Sequence, residues 1–254
     1  MNITSLLGST LTALTGSAAS SSQASNAVNA GSQMLAVVDK RIQADVDSTT
    51  AQLSKFGLLK SAVSDSQVAA NALTSLSTTA TASDLTSAIG NFFNTFNSTI
   101  AAAKAASAAS GSTAASQSAT RVTQDLTRAL SSDPATQDAM KKLGLSVQTD
   151  GTIVQDAQKF AAALSSDPAG VRSAMATIGK QVDAVAAKEL ATNGRVTAEL
   201  AALNQHSVTL TAQQKAMVAL EAALSSIQTS ASTASSSSTT DMGLAAYQSN
   251  SMGF

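Results

Sequence analysis

Chemistry requires side chains that attack, coordinate a metal or carry a proton, and this chain offers few. Its 254 residues contain one histidine, His206, no cysteine and no tryptophan. Without cysteine there is no disulfide, thiolate zinc site or thiol nucleophile. The 16 acidic residues are scattered along the chain. An active site needs polar groups converging in a pocket, and no set here suggests one. We therefore expect no enzyme, no catalytic residue, no metal and no cofactor, and read His206 as a surface or seam histidine. Fifteen Lys and Arg nearly balance the acids, for a net charge of −1. No basic cluster exists to neutralise a run of phosphates, so nucleic acid is not an expected partner.

The informative spacings concern structure. Asp150-Gly151 lies between two short alternating runs, Leu145–Gln148 and Thr152–Gln155, the pattern of a β-hairpin. Gly144 suits the residue just past a helix end. The heptapeptide ALSSDPA occurs at 129–135 and again at 163–169. Two copies cannot build a solenoid. Each reads instead as one helix ending and the next beginning, with Asp133 and Asp167 as N-caps and Pro134 and Pro168 in the first helical position. Asp156 similarly caps a helix through Leu164.

The elements that must position these signals are helical. Ala, Ser and Thr dominate, aromatics are only 3%, and there are 13 Gly and 2 Pro. That composition disfavours both a thick aromatic core and a turn-rich β-sandwich. A long helix is expected over 32–76, with Leu35, Ile42, Thr49, Phe56, Val63 and Ala70 seven residues apart. Val38, Leu59 and Leu73 fall on the companion line, as do the polar Asp45, Gln52 and Ser66. Gly57 could mark a bend. STTATASD at 77–84 breaks the helix, with Asp84 as the expected N-cap. Leu85, Ile89, Phe92, Phe93, Phe96 and Ile100 then share one face, read as core, and 101–118 reads as fraying helix and loop around Gly111. The pattern resumes at Val122, Leu126 and Leu130, and later at Val171, Met175, Ile178, Val182 and Val185. Asn193-Gly194 marks a stop.

A second long helix is expected over 195–229. Leu203, Leu210, Met217 and Leu224 recur every seven residues, beside Val196, Leu200, Leu220 and Ile227. Ser207, Gln214 and Glu221 interrupt its companion line. The two long helices should pair antiparallel in one chain as a leg, burying Leu53, Phe56, Leu210 and Met217, with 77–194 as a head. The expected fold is mainly α: an elongated helical bundle or coiled coil with one small hairpin.

The ends differ in kind. Residues 1–31 are uncharged and rich in Ser and Ala, with Ile3, Leu6, Leu7, Leu11 and Leu14 on one helical face. Residues 230–254 read as a Ser/Thr linker and a weakly amphipathic tail bearing Leu244 and Tyr247. Both ends are expected to be disordered alone and helical once neighbours bury their apolar faces. The first positive charge is Lys40, so the basic start of a cleaved secretory signal is not expected. The apolar runs are far shorter than a membrane span.

Three stretches resemble the bacterial flagellar filament-capping family, the hook-associated protein 2 family. Leu53–Leu73 resembles its N-terminal helix, with Gly57, Leu59, Lys60, Ser61 and Ala62 matching a Gly-x-Leu-Lys-Ser-Ala core. Phe92–Ile100 resembles its helix of Phe followed by Tyr-Asn, with Phe96-Asn97 at the Tyr-Asn position. Leu143–Val171 resembles its strand, Asp-Gly-Thr turn, strand, Asp-capped helix and Asp-Pro restart. The pattern from Val182 to Ile227 follows its C-terminal arm. The β-rich outer domains usual in that family would lie where this chain has only Ser75–Asp84.

The resemblance implies a structural protein, exported without a cleaved signal peptide, that assembles as a ring-like homo-oligomer at the flagellar filament tip and assists flagellin polymerisation. It further implies flagellin, hook-associated junction proteins and an export chaperone as partners. Self-association would fall to Leu35, Ile42, Leu53, Phe56, Val63, Leu203, Leu210, Met217 and Leu224. The terminal apolar residues would form an assembly face. The alternatives are a translocator or tip-like protein of a type III secretion system and a cytoplasmic amphipathic helical coat protein; the hairpin argues against both.

Overall fold

The computed structural model describes residues 21–109 and 111–251. The chain is mainly α. Helix α1 covers Ser21–Thr74, α2 Ala82–Ser107, α3 Thr113–Ser131 and α4 Pro134–Lys142. Strands β1 (Leu145–Val147) and β2 (Ile153–Gln155) follow, then α5 (Ala157–Ser166), α6 (Pro168–Leu190) and α7 (Arg195–Ser251). The strands pair antiparallel, Ser146 opposite Val154, in the only sheet among the described residues.

Both long helices exceed their expected bounds. α1 begins at Ser21 rather than 32, and α7 continues to Ser251 rather than ending at 229. Residues 21–31 and 230–251 contain no proline, so nothing there forces a break. Ser and Thr need not leave a helix either, because their hydroxyls can bond back to the preceding turn. Thr229 donates to the Ser225 carbonyl at 2.9 Å and Ser230 to that of Ser226 at 2.9 Å. α1 also runs unbroken through Gly57. The proposed assembly residues Ile3, Leu6, Leu7, Leu11 and Leu14 lie outside the described residues, as do the side chains of Leu244 and Tyr247.

The chain divides into two compact units. Of the described residues, one joins those up to Val46 with those from Thr209 onward; the other is Asp47–Val208. The expected boundary between leg and head therefore moves. Residues 47–74 of α1 and 195–208 of α7 belong with the helices between them, because Phe56, Leu59, Val63, Ala70, Leu73, Val196 and Leu203 share one core with α2, α3 and α6.

In that larger unit, Phe92 and Phe96 are fully buried with Leu85, Ile89 and Ile100, and the rings of Phe92 and Phe96 lie 6.0 Å apart. Val122, Leu126, Val171, Met175, Ile178 and Val182 complete the interior. Two polar residues on the α1 seam are accommodated. The hydroxyl of Ser66 meets that of Thr99 at 2.8 Å, and Thr99 in turn donates to the Ala62 carbonyl at 2.7 Å. Gln52 turns inward at 1% exposure and donates to the Ser112 carbonyl at 3.4 Å. Leu53, expected to be buried, is consequently only half-buried at the core's margin, since its neighbour holds the inward position.

The smaller unit is an antiparallel helix pair. Leu35, Ile42, Leu210 and Met217 are buried together, flanked by Val38, Val46, Leu220 and Leu224. Gly31 lies 3.9 Å from the Leu224 side chain by its Cβ position, and Gln214 donates to Gln43 at 3.0 Å. Those pairings run in opposite sequence directions, which fixes the antiparallel sense. Val46, not Asp45, occupies the seam, and Asp45 and Glu221 are exposed. A helix of 3.6 residues per turn drifts against a strict seven-residue repeat, and here the drift keeps the carboxylates in water.

Helix starts follow local chemistry. Asp133 and Asp167 cap α4 and α6, with Pro134 and Pro168 first in each helix, and Asp156 caps α5. α2 differs from expectation. Its N-cap is Thr81, and Asp84 is the third helical residue of a capping box: Asp84 N–H donates to Thr81 Oγ1 at 3.2 Å and Thr81 N–H to Asp84 Oδ2 at 3.0 Å. The expected loop around Gly111 is short, since Ser112 already caps α3.

Candidate functional site

The residues expected to mediate self-association are occupied within the chain. Leu35, Ile42, Phe56, Val63, Leu203, Leu210 and Met217 are all buried by this chain's own helices, and Leu53 and Leu224 are partly buried. Among the described residues, the large apolar side chains left exposed are Met34, Val37 and Val218 in the smaller unit and Leu58, Val68, Val154 and Val208 in the larger. His206, the one histidine, is exposed and its Nδ1 lies 3.2 Å from Thr49 Oγ1. No group of three or more His, Cys, Asp or Glu residues among the described residues could hold a metal ion.

The best-defined polar geometry surrounds the hairpin. Val147 pairs with Ile153, Gln148 N–H donates to the Thr152 carbonyl at 2.8 Å, and Gly151 N–H donates to the Gln148 carbonyl at 2.9 Å. The loop is thus Thr149–Gly151, a three-residue connection ending on a glycine with φ of +89°. Asp150 braces it, accepting from Thr152 Oγ1 at 2.6 Å, Thr152 N–H at 3.0 Å and Lys104 Nζ at 3.0 Å. The Thr152 side chain, then its N–H, then Lys104 hold the Asp150 carboxyl down at about 2.

One side of the hairpin is closed by a side chain from α2. Asn97 Nδ2 donates to the Ile153 carbonyl at 3.0 Å, and Ile153 N–H donates to Asn97 Oδ1 at 2.8 Å. The primary amide thus imitates a neighbouring strand and satisfies the outward main-chain groups of β2. Asn97 follows Phe96, whose buried ring fixes that turn of α2. Sequence reasoning singled out Phe96-Asn97 and the hairpin separately. Nothing in their spacing said that one clamps the other, 56 residues away.

A second cluster was missed altogether. At the turn between α6 and α7, Arg195 Nη1 lies 2.7 Å from Asp125 Oδ2 of α3 and 3.1 Å from Glu189 Oε1 of α6. Arg128 and Lys188 approach Asp125 at 3.5 and 3.8 Å. Burial alone would raise the Asp125 carboxyl, but the Arg195 hydrogen bond and charge, helped by Lys188 and Arg128, hold it below the usual carboxylate range. Glu189 goes the other way. It is 1% exposed, and burial pushes its carboxyl above the ordinary value despite Arg195, with the Asp125 charge adding to the rise. The sole sequence hint was that Glu189 and Arg195 flank the Asn193-Gly194 stop; Asp125 lies far away in sequence.

A cavity of about 550 Å³ opens between α4, α5 and α6, with Leu143, Ala163 and Val171 among its apolar lining and Asp138, Lys142 and Thr177 among its polar one. None of its polar residues is a buried group lacking a partner. No helix among the described residues is long and apolar enough to cross a membrane. In comparison with known proteins, the chain matches no family model, no curated protein and no solved structure.

Proposed function

We propose that this chain is a structural, cap-like axial protein of the bacterial flagellum, acting at the filament tip to assist flagellin polymerisation. The observation that carries the reading is the Asn97 clamp. The Phe/Tyr-Asn-like helix and the Asp-Gly-Thr hairpin resemble the capping family separately, and here one holds the other through a two-bond contact. The third resembling stretch, Leu53–Leu73, packs in the same core. A merely compositional likeness among Ala- and Ser-rich helices would not require such a joint.

On this reading the mechanism is mechanical. The larger unit is a preformed block, because its aromatic and aliphatic interior is already filled. The paired helices of the smaller unit carry the chain toward its two ends, where the assembly contacts would be made. Copies would associate through terminal segments and exposed side chains, since the heptad seam is occupied. Such contacts bury little area for each Ala or Val, at about 25 cal/mol per Å², which suits an interface that rearranges as each flagellin adds. Export to the flagellum, flagellin and junction-protein contacts and an export chaperone belong to the same proposal.

The test is genetic. In a strain lacking the protein, flagellin should leak unpolymerised into the medium and filaments should shorten or vanish, and the full-length chain should restore both. Filaments of normal length in the deletion strain would overturn the reading.

A further inference from the structure

The Asp125–Glu189–Arg195 cluster sets two carboxylates against one guanidinium nitrogen. Asp125 Oδ2 and Glu189 Oε1 both accept from Arg195 Nη1, at 2.7 and 3.1 Å. The second oxygen of Glu189, Oε2, is buried and has no hydrogen-bond partner. A buried carboxylate oxygen without a donor is costly; the charges of Arg195 and Lys188 oppose that cost, yet burial still outweighs them. Lys188 and Arg128 sit about 70% exposed and make their ion pairs with Asp125, not with Glu189. Glu199, the other acid near the start of α7, is engaged by Ser118 at 2.9 Å.

We propose that Asp125 and Glu189 form a proton-sharing carboxyl pair, and that proton uptake by Glu189 tightens the fastening of the α6–α7 turn to α3. Adding a proton removes the charge from the unpartnered carboxyl and makes Glu189 itself a donor. The neutral acid can hydrogen-bond Asp125, while Asp125 keeps its ionic bond to Arg195. The raised Glu189 carboxyl supports this. The sign follows from linkage. Between the raised native value and the ordinary 4.5 of glutamate, the folded chain binds a proton that the unfolded chain does not. Stability contributed by this pair therefore rises as pH falls through that window. The turn it fastens is a short joint, Ala191–Gly194, between two helices. The device thus acts where α6 hands over to α7. This inference does not depend on the flagellar reading.

The chain has only three glutamates, Glu189, Glu199 and Glu221, which makes the test direct. The full chain is labelled with carbon-13 at glutamate carboxyls and titrated by NMR. Glu189 is assigned by its loss in Glu189→Gln, or by elimination with Glu199→Gln and Glu221→Gln should that variant fail to fold. The proposal expects the Glu189 carbon to titrate at higher pH than the other two, and its midpoint to fall in Asp125→Asn, where Arg195 is released to Glu189 alone. It expects the wild-type chain to gain stability as pH falls toward the ordinary glutamate value of 4.5, and Glu189→Gln to lose that gain. A Glu189 midpoint at or below those of Glu199 and Glu221 would overturn it. So would a midpoint indifferent to Asp125→Asn.

Discussion

Placing the same methyl group at three glycines tests the packing of the larger unit with opposite expected signs. Gly57 and Gly90 lie inside α1 and α2, and a Cβ at either would meet nothing within 4 Å. Alanine there gains only its helix propensity, about 1 kcal/mol over glycine. Gly179 lies inside α6, and its Cβ would stand 2.7 Å from the Ala70 carbonyl oxygen and 3.2 Å from Leu73 Cβ of α1. The first of these neighbours is backbone, so relief requires one helix to move off the other. Overpacking of this kind costs about 1–3 kcal/mol, which outweighs the propensity gain and leaves a net loss of about 1 kcal/mol. For a protein of this size 1 kcal/mol moves the melting temperature by about 2–4 °C. Thermal melts followed by circular dichroism should therefore show Gly57→Ala and Gly90→Ala raising Tm by about that amount and Gly179→Ala lowering it. If Gly179→Ala stabilises as much as the other two, α6 does not pack on α1 at Gly179, and the core as described is wrong.

Other outcomes follow from the hairpin. Gly151→Ala forces a side chain into positive φ within 3.2 Å of Thr123 and Thr127, and chemical denaturation should show a loss of about 1–2 kcal/mol; an unchanged midpoint would mean a different turn. Asn97→Ala strips the partners from the buried main chain of Ile153 and should cost about 2–3 kcal/mol, with faster hydrogen exchange at the Ile153 amide as its signature. Unaltered exchange there would contradict the clamp. Asp150 is depressed from 3.8 to about 2, so its contribution is present above the ordinary carboxylate value and is lost as pH falls through about 2. Asp150→Asn should flatten the part of the stability profile between about pH 4 and 2, and an identical profile would show the hydrogen bonds to be idle.

How legible this protein was depended on the range of the interaction. Signals written in adjacent residues translated directly: Asp-Pro pairs capped helices, and Asp-Gly turned a hairpin. The seven-residue lines through Phe56 and Leu210 also pointed inward, because helical geometry turns a spacing into a face. Thr81 rather than Asp84 capped α2 because both residues fit the same capping box and the sequence alone does not choose between them. Gln52 sits inward where the companion line places it, and Leu53, off both lines, lies at the margin; what the pattern did not record is the Ser112 carbonyl that receives the Gln52 amide. The helices outran their expected ends because the flanking segments hold no proline, their alanines favour helix, and Ser and Thr are tolerated within it. The Asp125–Glu189–Arg195 cluster and the Asn97 clamp were unreadable for one reason. Their partners meet only after α2, α3 and α6 have packed, so the spacing between them carries no periodic trace.

The central claim is that this chain works at the tip of a flagellar filament. Its most direct test is to image flagella, by electron cryomicroscopy, from cells in which a labelled full-length copy replaces the native one and restores normal filament growth. The account predicts label at the distal end of each filament and nowhere along its shaft. Label confined to the cell interior, or at the envelope on needle-like structures instead of filaments, would contradict it.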